Sequence, residues 1–148
     1  MINVDIYIDG SCSGNPGPIG FAAVCPINGK ILAKSGFDTA VTSTNNRAEL
    51  RGAILALDCL RRKGCKVTLY TDSNYLMSFM NHNAEWFYAE GRPNRELWIQ
   101  FITKIEQGKH AVKMIKVKGH DGNKYNEIAD RKAREACVKA KHALTKGR

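Results

Sequence analysis

The chain has 148 residues, 43% hydrophobic and 25% charged, as expected for one globular domain that can bury a sizeable core. Its 23 Lys and Arg against 14 Asp and Glu give a net charge of +9, which suits nucleic acid but fits a merely basic surface equally well. The sequence has no apolar run of membrane-spanning length and no signal peptide at its start. Five cysteines without C-x-x-C spacing indicate reduced thiols rather than zinc ligands, so we expect a cytoplasmic protein.

Alternating apolar and polar residues predict strands at the beginning of the chain. In NVDIYID, Val4, Ile6 and Ile8 face one way, and Asp9 ends the run on the opposite face. After a turn rich in glycine and proline, IGFAAVCPI and KILAKSGFD predict two more strands, which Asn28-Gly29 joins as a hairpin.

Helices then alternate with strands. TNNRAELRGAILALDCLRRKG predicts a helix that Gly64 closes, KVTLYTD predicts a strand that ends at Asp72, and Ser73 caps a second helix. NRELWIQFITKIEQG predicts a third helix, AVKMIKVK a fifth strand, GHDGN a loop and YNEIADRKAREACVKAKHAL the last helix. This order predicts a single domain over residues 1–148, an α/β fold whose mixed sheet is covered by helices, with a basic tail from about residue 137.

Four acids are candidates for one site. Asp9 and Asp72 end strands that a right-handed crossover would place side by side and parallel, with both carboxylates at one edge of the sheet. Glu49, in the first turn of its helix, and Asp130, near the start of the last helix, would reach the same edge. Singly, each has a structural interpretation: a turn residue for each strand acid, a capping box from Asn46 for Glu49, and the helix dipole for Asp130.

Taken together, the four acids point to a metal. Crowded carboxylates repel one another unless they are protonated or bind a cation. Oxygen ligands without a His or Cys cluster suit Mg²⁺ or Mn²⁺, and two such ions hold the attacking and leaving oxygens in phosphodiester hydrolysis. A basic protein with such a centre fits a nuclease, although periodicity alone does not show that the acids meet.

Four separated motifs, DGSCSGNPGP, TNNRAEL, TDSNY and VKGHDGNKYNEIAD, occur in the order and spacing of the type 1 ribonucleases H. The chain resembles that family from about residue 4 to about residue 136. The resemblance implies a ribonuclease H-like fold with a five-stranded mixed sheet flanked by helices. It also implies an endonuclease that hydrolyses the RNA strand of RNA–DNA hybrids with two Mg²⁺ ions, or Mn²⁺ as a substitute, and leaves 5′-phosphate and 3′-hydroxyl ends.

The acidic tetrad of the family maps onto this chain without replacement. By resemblance, Asp9 bridges the two ions, Glu49 and Asp72 hold one, and Asp130 holds the other. His120, in the loop KGHDGN, is expected to transfer protons or assist product release. The residues that the resemblance places against the hybrid are Gly10, Cys12, Asn15, Thr44, Asn45, Asn46, Asn74 and Asn94.

These contacts divide between the two strands. By resemblance Asn15, Asn45 and Asn74 contact the RNA strand, where their amides can bond to ribose hydroxyls and base edges, with Cys12 close by and Asn46 near the paired DNA. Gly10, Gly14 and Gly17 are expected to let the backbone approach the minor groove. Thr44 and Asn94 match a DNA-phosphate pocket of the family, in which Thr42 stands where some members have an Arg.

The segment 81–93 departs from many bacterial relatives, which carry a longer basic insert there. NHNAEWFYAEGRP contains one cation, Arg92, and two acids, so we expect the final helix and tail to supply the missing positive charge. The aromatic run Trp86, Phe87 and Tyr88 fits stacking on DNA sugars and core packing about equally.

We therefore predict a stand-alone, monomeric ribonuclease H that acts on RNA–DNA hybrids with no obligatory protein partner and no membrane. Two alternatives remain: another nuclease of the same fold, such as a junction resolvase or a transposase-like domain, and a non-catalytic nucleic-acid-binding module. The stretch GNPGP and the asparagines favour hybrid recognition over the first, and the intact acids argue against the second.

Overall fold

A computed structural model describes residues 1–117 and 123–146 of the chain. Its five strands are β1 (Ile2–Cys12), β2 (Ile19–Ile27), β3 (Lys30–Asp38), β4 (Cys65–Thr71) and β5 (Ala111–Lys116). Its α-helices are α1 (Asn45–Asp58), α2 (Asn74–Met77), α3 (Ala84–Tyr88), α4 (Arg95–Gly108) and α5 (Lys124–Lys146), and a 3₁₀ turn follows α2 at Ser78–Met80.

The five strands form one mixed sheet in the order β3-β2-β1-β4-β5, which confirms the predicted fold class. The first three strands are antiparallel neighbours, and Asn28 and Gly29 turn the β2–β3 hairpin with positive φ angles of 49° and 75°. Strands β1 and β4 are parallel, with Tyr7 opposite Tyr70. The crossover through α1 therefore brings the ends of β1 and β4 to the same edge, as the sequence predicts.

Helices cover both faces of the sheet. Helix α1 packs on β1 and β2 and against α4, and together they bury the main core, which includes Ile6, Leu50, Leu69 and Phe101. Helix α5 packs on the opposite face over β1, β2 and β3. The approach of α5 to β2 is so close that a Cβ at Gly20 would lie 2.2 Å from the backbone nitrogen of Cys137.

Several boundaries differ from the sequence predictions. Helix α1 ends at Asp58, so Gly64, which has a φ of 74°, belongs to the turn before β4 rather than to the helix end. Ser73 caps α2 as predicted, but α2 stops at Met77. The segment 81–93 contains α3, which the sequence analysis did not predict and which Asn83 caps by accepting the N–H of Trp86.

The predicted basic tail continues α5 as an ordered helix. Cys137 and Ala140 are buried on its inner face, and the Cys137 thiol donates to the carbonyl of Pro18. The region beyond residue 137 therefore contributes to the core as well as to surface charge.

All five cysteines are unpaired thiols. Within residues 1–117 and 123–146, none of the helices combines the length and the apolar character that crossing a bilayer requires.

Candidate active site

Asp9 lies on β1 next to Gly10, the residue on which the start of α1 packs. The side chain is 5% exposed, and its Oδ1 accepts the N–H of Gly10 at 2.8 Å. Strand β1 continues to Cys12, three residues beyond the predicted end at Asp9, because Asp9 to Cys12 pair with β2. The carboxylate is thus fixed by a paired strand rather than by a turn.

Glu49 projects from α1 toward Asp9. The N-cap of α1 is Thr44, whose Oγ1 accepts the N–H of Arg47 at 3.3 Å, so the capping box from Asn46 that the sequence allowed is not formed. The Oε2 atom of Glu49 is buried and has no hydrogen-bond partner. A buried carboxylate oxygen without a hydrogen-bond donor lowers the stability of the fold, which indicates that a bound ion or another donor contacts it when the protein acts.

Asp72 completes a group of three carboxylates. It follows the last residue of β4, next to the end of β1, and is the most exposed of the three. One carboxylate oxygen from each of Asp9, Glu49 and Asp72 lies within 4.8 Å of the other two. The structure therefore brings three of the four predicted acids to one point.

The electrostatics of this group favour neutralisation. Burial raises the pKa of Asp9 from 3.8 to about 7, and the charge of Asp72 adds to that rise. Burial also raises the pKa of Glu49 well above its ordinary value of 4.5, with further contributions from Asp9 and Asp72. Near neutral pH the folded protein therefore resists holding all three carboxylates in the charged form.

A divalent cation fits this donor set. The group offers hard oxygen ligands, one of them buried without a hydrogen-bond donor, and among the described residues no His or Cys joins it. Oxygen donors of this kind suit Mg²⁺ or Mn²⁺ rather than zinc.

The fourth predicted acid lies close by but is paired. Asp130, in the second turn of α5, accepts from the Arg134 guanidinium at 3.0 Å, and its charge makes a smaller contribution to the raised pKa of Asp9. His120, the predicted proton carrier, lies outside the described residues.

A groove beside the acids gathers most of the predicted hybrid contacts. Asn15 Oδ1 accepts the N–H of Asn45 at 2.9 Å, which links the turn after β1 to the start of α1. The residues that line this groove are Asn15, Thr44, Asn45, Asn46, Pro93 and Asn94. Cys12 sits behind it, with its thiol directed at the carbonyls of Gly17 and Ser43.

Asn94 is held by protein partners at both ends of its amide. Its Oδ1 accepts from Arg47 at 3.1 Å, and its Nδ2 donates to the hydroxyl of Tyr75 at 3.0 Å. The same hydroxyl accepts the indole N–H of Trp98 at 2.8 Å, and Arg47 also pairs with Glu96. That pairing lowers the pKa of Glu96. Arg47 was not among the residues predicted from the sequence, although it stands inside TNNRAEL three residues after Thr44.

A second cation that the sequence analysis missed lies on the other side of the acids. The Lys116 ammonium, at the end of β5, donates to Asn74 Oδ1. Since an ammonium only donates, this contact orients the Asn74 amide with its NH₂ group free to act as a donor. No local sequence pattern indicates this pair, because Lys116 and Asn74 are 42 residues apart and meet only when β4 and β5 are neighbours.

The glycine of the first motif has a packing role. A Cβ at Gly10 would lie 2.6 Å from the backbone of Ala48 and of Glu49. The bare backbone at Gly10 thus lets α1 approach β1 and carry Glu49 to Asp9, a reason that the sequence analysis did not give.

The aromatic run of the shortened insert packs rather than projects. Phe87 is 2% exposed in the core. The ring of Trp86 stacks on His82 at 3.8 Å, and the Arg92 guanidinium lies 3.4 Å from its centroid. Two partners at such short range occupy both faces of the indole, so these faces are not open to a DNA sugar.

Comparison with known proteins matches this fold and identifies the family. The RNase H family model matches residues 2–138. A ribonuclease H of Caldanaerobacter subterraneus subsp. tengcongensis is 42% identical over 145 residues, 92% of each chain. The solved structure of LC9-RNase H1, a type 1 RNase H with the type 2 active-site motif, has a TM-score of 0.73 at 26% identity and covers 94% of this chain and 74% of its own.

LC11-RNase H1, solved in complex with an RNA/DNA hybrid, has the same fold, with a TM-score of 0.69 at 24% identity over 93% of this chain and 98% of its own. The family match spans nearly the whole chain and includes every motif on which the resemblance depends. The chain therefore belongs to the ribonuclease H family of enzymes.

Proposed function

We propose that this chain hydrolyses the RNA strand of RNA–DNA hybrids and leaves 5′-phosphate and 3′-hydroxyl ends. The observation that carries the proposal is the convergence of Asp9, Glu49 and Asp72 within 4.8 Å at the shared edge of β1 and β4. Such a group is chemically unfavourable on its own and becomes favourable around divalent cations.

The carboxylates have distinct parts in this proposal. Asp9, fixed by the N–H of Gly10, would serve both cations, Glu49 and Asp72 would hold one of them with it, and Asp130 would hold the other. When bound, two Mg²⁺ ions supply an activated water and stabilise charge on the scissile phosphate and the departing 3′ oxygen. In this role Asp130 would exchange its ion pair with Arg134 for the cation. His120 is proposed as the proton carrier.

The groove supports recognition of a hybrid. Its amides can donate to and accept from ribose 2′-hydroxyls and base edges in a minor groove, which is how a protein distinguishes RNA from DNA. Thr44 and Asn94 are proposed to hold a phosphate of the DNA strand, with Arg47 adding positive charge near Asn94. A protein of the same fold, LC11-RNase H1, accommodates an RNA/DNA hybrid.

The five unpaired thiols support a reducing compartment, so we propose a cytoplasmic enzyme. We propose that it acts as a monomer, which sedimentation at micromolar concentration would test.

A substrate panel tests the proposed activity. Labelled RNA–DNA hybrid, double-stranded RNA, duplex DNA and a four-way junction are each incubated with Mg²⁺ or with chelator. We expect loss of RNA from the hybrid alone and only with metal. Cleavage of the junction would favour a resolvase, and binding without cleavage of any substrate would favour the non-catalytic module.

The matched variants are Asp72→Asn and Asp5→Asn, which change one carboxylate to an amide inside and outside the site. Asp5 is exposed on β1, the strand that carries Asp9. We expect Asp72→Asn to abolish cleavage and Asp5→Asn to retain it. Equal activity in the two variants would refute the assignment of the site.

A further inference from the structure

One half of a sheet face has no helix over it. Helix α5 covers β1, β2 and β3, with its Tyr125 against Tyr7 of β1, and within the described residues no helix packs extensively on the same face of β4 and β5. That face presents Lys66, Thr68 and Tyr70 from β4, and Lys113 and Ile115 from β5, with Ile115 39% exposed. It is the face to which Asp9 and Asp72 belong, because side chains alternate along a strand.

Cations cluster where this open face begins. The turn before β4 and the turn before β5 are tied together, since the N–H of Gly64 donates to Gly108 O at 2.8 Å and that of Cys65 to His110 Nδ1 at 3.1 Å. We call the six exposed cations of this end the basic edge: Arg61, Arg62, Lys63, Lys66, Lys109 and Lys113.

The basic edge is electrostatically uncompensated. In residues 1–117 and 123–146, no carboxylate lies within 4.0 Å of any of its six cations, whereas Lys104 nearby pairs with Asp58 at 2.6 Å. Of the three acids that these residues place on this face, Asp5 on the neighbouring β1 lies nearest to the basic edge, opposite Thr68, whereas Asp9 and Asp72 lie at the other end of the strands. Six unpaired cations at one end of the sheet attract a polyanion.

The open face leads from the basic edge to the candidate active site. Strand β4 runs from Cys65 to Thr71, a span of about 20 Å at 3.3 Å per residue. Along it, the rings of Tyr7 and Tyr70 stack at 4.4 Å, and Ile115 lies opposite Tyr70 in the pairing register. The face ends beside Asp72, while Lys116, the next residue of β5 after Ile115, points to the opposite face, where its ammonium contacts Asn74. Cations, aromatic edges and one exposed aliphatic side chain thus form a continuous path.

We propose that this path binds a single-stranded extension of the substrate as it leaves the active site. The proposal rests on the proposed function, in which the duplex part of the substrate occupies the groove between the acids and Asn94. This groove lies at the end of the strands opposite to the basic edge. A duplex is too stiff, with a persistence length of about 150 base pairs, to turn sharply from that end down the open face. A single strand is flexible enough to make the turn, and a few nucleotides span the distance of about 20 Å to the basic edge.

The binding chemistry follows from the residues on the path. Arg61, Arg62 and Lys63 neutralise phosphates at its far end, and Lys66 and Lys113 do so on the face. Tyr70 and Ile115 offer apolar contact to bases without selecting a sequence. The path therefore favours hybrids that are flanked by unpaired strand over blunt hybrids, irrespective of sequence.

The test compares a blunt hybrid with the same hybrid whose DNA strand overhangs at both ends, because a DNA overhang is not a substrate for RNA hydrolysis. Binding is measured by fluorescence anisotropy over a range of salt concentrations, with Ca²⁺ in place of Mg²⁺ to prevent turnover. We expect the overhangs to tighten binding about tenfold at low salt. The triple change Arg61→Gln, Arg62→Gln and Lys63→Gln should remove that gain and reduce the slope of log affinity against log salt by about 2, at 0.7 per single-strand phosphate.

A matched control neutralises three exposed cations of α5, Lys139, Lys141 and Lys146, which lie away from the open face. We expect that control to leave the difference between overhanging and blunt hybrids unchanged. If the overhangs add no affinity while the blunt hybrid is still cleaved with Mg²⁺, the path is wrong and the proposed function stands. If a poly-glutamate peptide of equal charge competes as well as a single-stranded oligonucleotide does, the surface binds acidic protein instead, which also overturns the inference. If the wild-type protein does not cleave the blunt hybrid with Mg²⁺, the proposed function itself is refuted.

Discussion

Replacing Asp9 by Asn should stabilise the metal-free protein while abolishing its activity. The pKa of Asp9 is raised from 3.8 to about 7 because the carboxylate is buried and faces Asp72. One pKa unit corresponds to 1.36 kcal/mol, so ionised Asp9 destabilises the fold by up to about 4 kcal/mol above pH 7. The Asn side chain keeps an oxygen that accepts the N–H of Gly10 and removes the charge. We expect a gain of about 2–4 kcal/mol in the free energy of unfolding at pH 8.

The dependence on pH follows from the direction of the shift. Because the pKa is raised on folding, the folded state retains a proton that the unfolded chain has lost between about pH 4 and pH 7, and the stability contributed by this group falls as pH rises through that window. Below about pH 4 the carboxyl is neutral in both states. The advantage of the Asp9→Asn variant should therefore be largest above pH 7 and vanish near pH 4.

Urea unfolding in chelator at several pH values measures this difference, and Asp5→Asn is the matched control on the same strand. We expect Asp5→Asn to leave the free energy of unfolding within about 0.5 kcal/mol of wild type, since its side chain is exposed. Added Mg²⁺ should raise the stability of the wild-type protein but not of the Asp9→Asn variant, because only a ligand that binds the folded state stabilises it. An Asp9→Asn protein that is less stable than wild type at pH 8 in chelator would refute the electrostatic argument.

Three further changes follow from the contacts. Gly10→Ala places a Cβ 2.6 Å from the backbone of Glu49. We therefore expect the free energy of unfolding, measured in urea, to fall by about 1–3 kcal/mol and cleavage to be impaired. Unimpaired activity would contradict the packing role of Gly10. Tyr75→Phe leaves the N–H groups of Asn94 and Trp98 without their acceptor. We expect KM for the hybrid to rise by a larger factor than kcat falls, because Asn94 is placed as a binding residue. A loss of kcat with KM unchanged would contradict that role. If α5 replaces the basic insert, neutralising Lys139, Lys141 and Lys146 should reduce the slope of log affinity against log salt for a blunt hybrid by about 2–3. An unchanged slope would exclude these lysines as contacts to the hybrid.

Charge neutralisation is the appropriate test for α5 because truncation would remove core packing. Ala140 is fully buried, and Cys137 lies against Gly20 and Pro18. A chain cut after residue 136 would lose both contacts, and a change in its affinity would not distinguish charge from folding.

The sequence predicts the sheet and the place of the strand acids because both depend on local patterns. The strand patterns end at or next to Asp9 and Asp72, and the crossover rule makes their strands parallel neighbours, so both carboxylates are expected at one edge of the sheet. Glu49 was ambiguous from the sequence, since the spacing from Asn46 also fits a helix cap. The structure resolves this ambiguity by giving the cap to Thr44.

What the sequence does not reveal depends on contacts between distant segments. The pair Lys116 and Asn74, and the pair Arg47 and Asn94, form only after strands and helices pack. Helix α3 has five residues, too few for a periodic pattern to register, and its packing explains why Trp86 is not free to stack on substrate.

The most direct test of the carboxylate site is calorimetric titration of Mg²⁺ into the metal-free protein at pH 7, in two buffers that differ in ionisation enthalpy. Because burial raises the pKa of Asp9 to about 7 and that of Glu49 well above its ordinary value, we predict that binding releases protons and that the heat differs between the buffers. The Asp9→Asn variant should give little or no heat. Absence of binding in the wild-type protein, or binding of equal strength in the variant, would contradict a metal site built on these carboxylates.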